Sequence, residues 1–115
     1  MSRILDVRDA LLTVLDEVYH FRAPAELVEK YAVWGEGGSD AILYADDKPG
    51  EMIVPGRIYY YTTTEYDTDF DAICNALTAA GVSWRLYSIG YDDTTAQIIY
   101  EIEWRVCVGA GSLYQ

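Results

Sequence analysis

The last long segment of the chain alternates between apolar and polar residues almost without interruption. From Gln97 to Val108 every second residue is apolar, and most of the residues between them are Gln, Glu or Arg. A period of two is typical of a strand with one buried face and one solvated face. The pattern therefore predicts a long strand over Ala96–Val108 that needs a sheet to join and a second layer to cover it.

Two other segments repeat apolar residues at spacings of three and four, which is typical of an amphipathic helix. The first runs from Arg3 to about His20, with Ser2 as its candidate N-cap. In the second, Asp67 or Thr68 is placed to cap the start and Gly81 is placed to end the helix. The core-facing residues of the second helix are predicted to be Phe70, Ile73, Leu77 and Ala80.

Shorter β-rich segments predict the remaining strands. Met52–Thr64 carries Pro55 and Gly56 near its start, which predicts an edge strand or an early bulge, because proline cannot donate to a sheet ladder. Turn residues at 46–51 and 92–95 predict a hairpin at each position. The other predictions are a strand at Ser83–Tyr91, a helical turn at Ala25–Glu29, and two short strands or one interrupted strand at Tyr31–Trp34 and Ala41–Tyr44.

The predicted elements follow the order helix, two or three strands, helix and a two-stranded hairpin. One mainly antiparallel sheet of four to five strands, with both helices on one face, buries every apolar pattern in the chain. We therefore predict an α+β fold of order α-β-β-β-α-β-β, in a single domain over residues 1–115. Residues 109–115 are small and polar and are predicted to form a flexible tail.

Composition and charge narrow the classes of partner. The chain of 115 residues is 51% apolar, but no apolar run approaches the roughly 20 residues of a membrane helix, so no membrane partner is predicted. The net charge is −11, from 19 acidic and 8 basic residues, which disfavours nucleic-acid binding because that binding depends on Lys and Arg. The same charge suits a protein that lies near DNA without holding it. The first residues lack the features of a secretory signal, which predicts a cytoplasmic origin.

Residues that could carry chemistry are sparse. The D-x-D-x-D run at 67–71 matches the first ligands of a calcium loop, but it lacks the glycine at the sixth position and the glutamate at the twelfth. Helix capping is therefore preferred. His20 is the only histidine and follows the first predicted helix closely, so a two-histidine metal site is ruled out. Cys74 and Cys107 are predicted to be free thiols. We predict a protein that is not an enzyme and needs no cofactor or metal.

Two further groups of residues are candidates for contacts. The first consists of acids in the two predicted hairpin turns, which are either solvated turn residues or a shared acidic rim at one end of the sheet: Asp46, Asp47, Glu51, Asp92 and Asp93. The second is the aromatic side of the predicted edge strand, which suits internal packing or an interface: Arg57, Tyr59, Tyr61 and Thr63. The acidic rim gains a role only if copies of the chain assemble.

Three blocks, in this order of elements, resemble small tail-completion proteins of tailed bacteriophages and prophages. They are YAVWGE at 31–36, AILYADDK at 41–48 and GVSWRLYSIGYDDTTAQIIYEIEWRV at 81–106. The similarity is to the tail-terminator or tail-to-head joining family, whose members are also labelled minor capsid proteins. The resemblance implies a structural virion protein whose hexameric ring caps the tail tube and joins it to the head connector or head-completion protein. DNA crosses the lumen of such a ring. The resemblance therefore also implies that the acids of the hairpin turns could line this lumen.

Closure of such a ring needs a heterologous interface, in which two different surfaces of the subunit meet. We expect this interface in the strand Arg57–Thr63 and the loop Gly35–Asp40 with its flanks, and the candidate residues are Arg57, Tyr59, Tyr61, Thr63, Trp34 and Glu36. The expected partners are other copies of the chain, the tail tube protein and the connector, and the expected location is the phage tail or neck. The alternative is a small acidic inhibitor or immunity-type protein that binds a basic partner.

Overall fold

The computed structural model describes residues 3–38, 43–44, 51–109, 111 and 113–114, with the backbone alone described at 43, 44 and 51. Two helices and six strands follow one another along these residues. They are α1 (Leu5–Leu12), β1 (Val18–His20), β2 (Lys30–Glu36), β3 (Leu43–Tyr44), β4 (Glu51–Thr62), α2 (Thr68–Ala79), β5 (Ser83–Asp92) and β6 (Gln97–Gly109). No helix among them is long and apolar enough to cross a membrane.

All the strands belong to one sheet of order β1-β2-β4-β6-β5, in which β3 pairs with the start of β4. Only the pairing of β1 with β2 is parallel, and the other pairs are antiparallel. The predicted α+β fold with a mainly antiparallel sheet and two helices is therefore confirmed. The strand β1 is an addition to the predicted order. The helical turn predicted at Ala25–Glu29 is absent, since the structure has no helix at these positions.

The first helix is shorter than predicted, because it ends at Leu12 and the chain continues into the strand β1. The β-branched residues Thr13, Val14 and Val18 follow the helix end, and such residues favour extended backbone over helix. Leu15 is nevertheless buried. The spacing of apolar residues in this segment thus predicted correctly that Leu15 is buried. It did not predict the secondary structure, because a turn and a strand can bury the same residues as a helix.

The strand β4 lies at the centre of the sheet, so the prediction of an edge strand is wrong. It pairs with β6 along its whole length and with β2 over residues 56–62. Pro55 is tolerated because it falls in the gap between β2 and β3, which pair with the same side of β4. Its carbonyl faces this gap and accepts from the Gly37 N–H at 2.7 Å. The N–H and C=O of one residue point the same way in an antiparallel strand, so the missing N–H removes no ladder bond.

Both helices cover one face of the sheet and share a single apolar core with it. Ile73 and Leu77 of α2 are fully buried, as predicted, whereas Phe70 and Ala80 lie at the border of the core. The helix ends where Gly81 adopts a φ of 77°, a conformation that glycine reaches without strain. The largest fully buried side chain is Trp104 of β6.

Asp67 is the N-cap of α2, as predicted, and it also organises a buried polar cluster. One carboxylate oxygen accepts from the Asp69 N–H at 2.8 Å, and the other accepts from the hydroxyls of Tyr60 and Thr62 at 2.6 Å each. The ammonium of Lys30 lies 3.3 Å from the second oxygen. Burial raises the pKa of Asp67, but these hydrogen bonds and the Lys30 charge outweigh burial, so that the pKa lies below its usual value.

The two cysteines are free, as predicted, and we expect them to differ sharply in reactivity. Burial raises the pKa of the Cys74 thiol to about 11, which leaves little reactive thiolate at neutral pH, whereas Cys107 is only half-buried. A thiol reagent should therefore titrate one cysteine in the native protein and two after unfolding, and a Cys107→Ser variant should show no native reaction. Rapid reaction of both thiols in the folded chain would contradict this expectation.

Candidate subunit interface

The face of the sheet that points away from the helices, here called the open face, carries much of the predicted interface. Because side chains alternate along a strand, Arg57, Tyr59 and Tyr61 all point to the open face, while their neighbours Ile58 and Tyr60 are fully buried on the helix side. The predicted alternation of this strand is therefore confirmed.

Aromatic rings cover the part of the open face near β1. Tyr31 and Tyr61 stack with centroids 4.4 Å apart, and Tyr19 meets Tyr31 edge to face at 6.2 Å. Burial, together with the charge of Asp92, raises the pKa of both Tyr31 and Tyr61. Their hydroxyls therefore stay protonated at neutral pH and offer polar tips on an apolar surface, a combination that suits protein contacts.

Paired charges occupy the part of the open face near β5. Arg57 lies 2.7 Å from Glu101 and 3.0 Å from Glu103, and Arg85 lies 2.5 Å from the second oxygen of Glu103. The hydrogen bond from Arg85 is the main reason that the pKa of Glu103 lies below its usual value. The ring of Tyr87 lies over the Arg57 guanidinium at 4.7 Å. This region is thus close to electrically neutral, although the chain as a whole carries a charge of −11.

The structure separates the remaining predicted interface residues from this group. Trp34 lies on the helix side of β2, where it is 3% exposed and tilts against Trp104, so it is a core residue of the single chain. Thr63 lies beyond the end of β4, where its N–H donates to the Glu29 carbonyl. Sequence alternation placed Thr63 on the aromatic side, but the strand ends one residue earlier.

Glu36 also lies on the helix side, where it pairs with His20 at 2.6 Å. Burial raises the pKa of Glu36, but hydrogen bonds from Tyr114 and His20 outweigh burial and keep the pKa low. His20 belongs to β1 and not to a helix end, and its ring stacks between Phe21 and Trp34 with centroids 4.1 and 4.3 Å away. The contact of Tyr114, and the packing of Leu113 against the core, show that the predicted flexible tail touches the domain.

The described positions of the two predicted turns lie at opposite ends of the sheet. Glu51 pairs with Gly109 at one end of the β4–β6 ladder, whereas Asp92 pairs with Gln97, beyond the other end. At about 3.4 Å per residue, the length of β6 from Gln97 to Gly109 separates them by roughly 40 Å. Asp93 is exposed, and Asp92 accepts from the Thr94 N–H at 2.9 Å as an ordinary turn residue. Asp46, Asp47 and the Glu51 side chain lie outside the described residues, as does the loop 46–50.

The strand β5 forms one edge of the sheet and β1 the other, and the sequence did not mark β5 as an interface. No strand among the described residues pairs with its outer side. Three of its residues point to the helix side but lie beyond the cover of the helices, and we call them the β5 ledge: Leu86 (39% exposed), Ile89 (59%) and Tyr91 (65%). A shift of register between Leu86 and Ser88 brings Leu86 to the same side as Ile89 and Tyr91, and neither this shift nor the position of β5 in the strand order could be predicted from the sequence.

An apolar pocket of about 190 Å³ lies on the open face near β1 and β2. We call it the Phe21 pocket, and its lining includes Phe21, Val33, Gly35, Arg57 and Tyr59. Phe21 is 63% exposed and adopts a φ of 65°, a conformation that costs a non-glycine residue about 1 kcal/mol or more. A Cβ at position 35 would lie 2.5 Å from this ring, so the ring in this position packs against the bare backbone of Gly35. Four of the predicted interface residues line the pocket, although no pattern in the sequence indicated its shape: Trp34, Glu36, Arg57 and Tyr59.

Within the described part of the chain, no group of three or more His, Cys, Asp or Glu residues is placed to hold a metal ion.

Comparison with known proteins gives a likeness of fold. No protein-family model matches the sequence, and no curated protein matches it either. Among solved structures, a chain from the virion of a native gene transfer agent particle superposes with a TM-score of 0.55 at 18% sequence identity. The match covers 90% of this chain and 92% of that chain. This protein therefore has the fold of a virion component.

Proposed function

We propose that this protein is a structural component of a phage-like virion, acts through contacts with copies of itself and catalyses no reaction. The observation that carries the proposal is the fold, which matches a gene transfer agent virion chain over nine-tenths of both chains. Among the described residues, no layer covers the open face and no strand pairs with the outer side of β5; both features support the proposal, because an exposed strand edge is a template for pairing with another chain and a large exposed apolar surface marks an interaction site.

The more specific form of the proposal is a tail-terminator ring. A hexamer would cap the tail tube, contact the tail tube protein on one side and meet the head connector or head-completion protein on the other. Two features of the chain support a ring: its exposed apolar surfaces differ from one another, and they lie at opposite ends of the strand order. Unlike surfaces favour the heterologous contacts from which rings are built. In this proposal the protein is made in the host cytoplasm and ends in the neck of the particle.

The first test is the mass of the assembly, alone and on tails. Sedimentation over a concentration series, with and without tails that lack this protein, should reveal a particle of about six times the 13.0 kDa chain mass. Electron microscopy of complete virions should place a tagged copy at the neck. A protein that stays monomeric under both conditions and binds one basic partner tightly would instead be an acidic inhibitor, and the virion proposal would fail.

The proposal also includes an acidic lumen for the passage of DNA. Asp92 and Asp93 would contribute from the hairpin between β5 and β6, and the acids of the other predicted turn, Asp46, Asp47 and Glu51, would add to them, because like charge keeps a polyanion from adhering. Particles that carry Asp92→Lys and Asp93→Lys should eject DNA more slowly than wild type, and the delay should shrink at high salt as the charges are screened. Asp16→Lys with Glu17→Lys is the charge-matched control, because these two adjacent exposed acids precede β1, at the opposite edge of the sheet from β5. Unchanged ejection by the double variant would count against an acidic lumen.

A further inference from the structure

We propose that the β5 ledge of one copy packs into the Phe21 pocket of a second copy, so that the edge of each sheet overlaps the open face of the next. This inference rests on the ring proposed above and names the contact that builds it. The fold likeness assigns a role to neither surface, and the sequence analysis placed Arg57 and Tyr59 of the pocket at an interface without naming the surface that they meet.

The ledge has the properties of a surface that is covered in the assembled state. Ile89 and Tyr91 are 59% and 65% exposed, although the strand that carries them is paired on its inner side with β6 throughout. The ladder holds the strand in place, so little backbone entropy is lost when these side chains are buried. Beneath the ledge, the cross-strand neighbours Ile98 and Tyr100 extend the apolar surface on β6.

The pocket has the size and lining for one apolar side chain. Its volume of about 190 Å³ is below the roughly 300–1,000 Å³ of small-molecule sites. Val33 and Tyr59 form its floor, and the strained, exposed ring of Phe21 forms its lip. Such strain persists only where the surrounding structure imposes it, and it is concentrated at functional positions. The pocket therefore fits an isoleucine or tyrosine side chain better than a cofactor.

The positions of the two surfaces favour contact between unlike parts of two copies. The ledge lies at the β5 end of the sheet on the helix side, whereas the pocket lies near the β1 end on the open face. A chain cannot fill its own pocket from the opposite end and face of its sheet. Repetition of the contact with a constant rotation generates either a closed ring or a filament, as heterologous contacts do.

Charge determines which surface a second copy can approach. Each copy carries a net charge of −11, so like copies repel unless they meet at a neutral surface. The charges next to the pocket satisfy this condition, because Arg57 is neutralised by Glu101 and Glu103 within the same chain. The ledge itself contains only apolar and aromatic side chains. The ledge side chains are thus the part of the β5 edge that can be buried without placing the neighbouring acids, Asp92 and Asp93, in the pocket.

Disulfide trapping tests the contact directly. In a Cys107→Ser background, with the buried Cys74 retained, one preparation carries Ile89→Cys and a second carries Val33→Cys. On oxidation, a cross-linked dimer is expected in the mixture and in neither preparation alone. Cross-linking of the Ile89→Cys preparation with itself would show that two β5 edges meet around a two-fold axis, and it would overturn the inference.

Assembly measurements separate this inference from the proposed function. The double variant Ile89→Ser and Tyr91→Ser should require at least ten-fold more protein to form rings, whereas Tyr66→Ser, which removes a tyrosine that is 89% exposed outside both surfaces, should not. Rings that form normally from the double variant, or that form without a cross-link in the mixture, would overturn the inference and leave the ring intact. Absence of rings from the wild-type protein, even on tails, would overturn both.

Discussion

Replacement of Asp67 by alanine is expected to lower the free energy of unfolding by about 3 kcal/mol, because it removes a helix cap and leaves two buried hydroxyls without an acceptor, at about 1 kcal/mol each, while Lys30 keeps its ion pair with Asp69 at 2.8 Å. The side chain of Asp67 is 3% exposed and lies 3.3 Å from the Lys30 ammonium. Its loss would leave the hydroxyls of Tyr60 and Thr62 without their acceptor and would remove the cap from α2.

Denaturant unfolding of wild type, Asp67→Ala and Asp67→Asn would measure this effect. Asparagine keeps the shape and one acceptor oxygen, so it can still accept from the Asp69 N–H, and its amide can donate to hydroxyls that rotate. The loss for Asp67→Asn should therefore be clearly smaller than for alanine. Equal losses would show that the charge dominates, and a negligible loss for alanine would refute the role of Asp67 as the centre of this cluster.

The same cluster makes stability depend on pH in a predictable direction. The pKa of Asp67 in the folded chain is lower than its ordinary value of 3.8. Its contribution is therefore complete above about pH 5 and is lost as the pH falls below 3.8 through the folded-state pKa. Wild type should lose its stability advantage over Asp67→Asn in that acid range, as measured by unfolding at each pH. A constant difference down to pH 2 would contradict the assignment.

Replacement of Gly56 by alanine is expected to destabilise the protein by about 3 kcal/mol, at the upper end of the range for overpacked cores. A Cβ at this position would lie 2.0 Å from the Trp104 ring and 2.5 Å from the Gly35 carbonyl oxygen. The ring is fully buried and the carbonyl belongs to the paired strand β2, so neither can move without disturbing the centre of the sheet.

Gly90→Ala is the matched control, because Gly90 is also in a strand and a Cβ there would meet nothing within 4 Å. Its effect on the midpoint of urea unfolding should be near zero, or slightly stabilising because alanine restricts the unfolded chain. Comparable losses from the two substitutions would mean that the close approach of Trp104 does not determine the need for glycine at position 56.

These two sites show how the fold supports the proposed contacts. Gly56 and Asp67 lie on the helix side of the sheet or at the start of α2, where they hold the core together. The open face on the other side of the sheet carries tyrosines and ion-paired residues that do not contribute to the core. A rigid sheet with one face buried under the helices and the other face exposed is well suited to repeated contacts between copies.

Local patterns in the sequence predicted the elements whose structure depends on near neighbours. Asp67 before an apolar helical stripe predicted the cap of α2, and Gly81 predicted its end, because both depend on backbone groups a few residues away. Alternation along β4 predicted that Arg57, Tyr59 and Tyr61 share a face. A period of two is a property of the strand itself, so it can be recognised in the sequence without knowledge of the partner strands.

Features that depend on which strands are neighbours were decided only by the tertiary structure. Pro55 suggested an edge, but the gap between β2 and β3 leaves room for it in a central strand. The ladder register separates Glu51 from Asp92, and the strand order leaves β5 with a free edge. The sequence by itself thus determined which residues face which side of each element. Pairing between distant strands decided which of those sides remain exposed. Such pairing joins residues that lie far apart along the chain, and a local pattern in the sequence carries no information about which strands become neighbours.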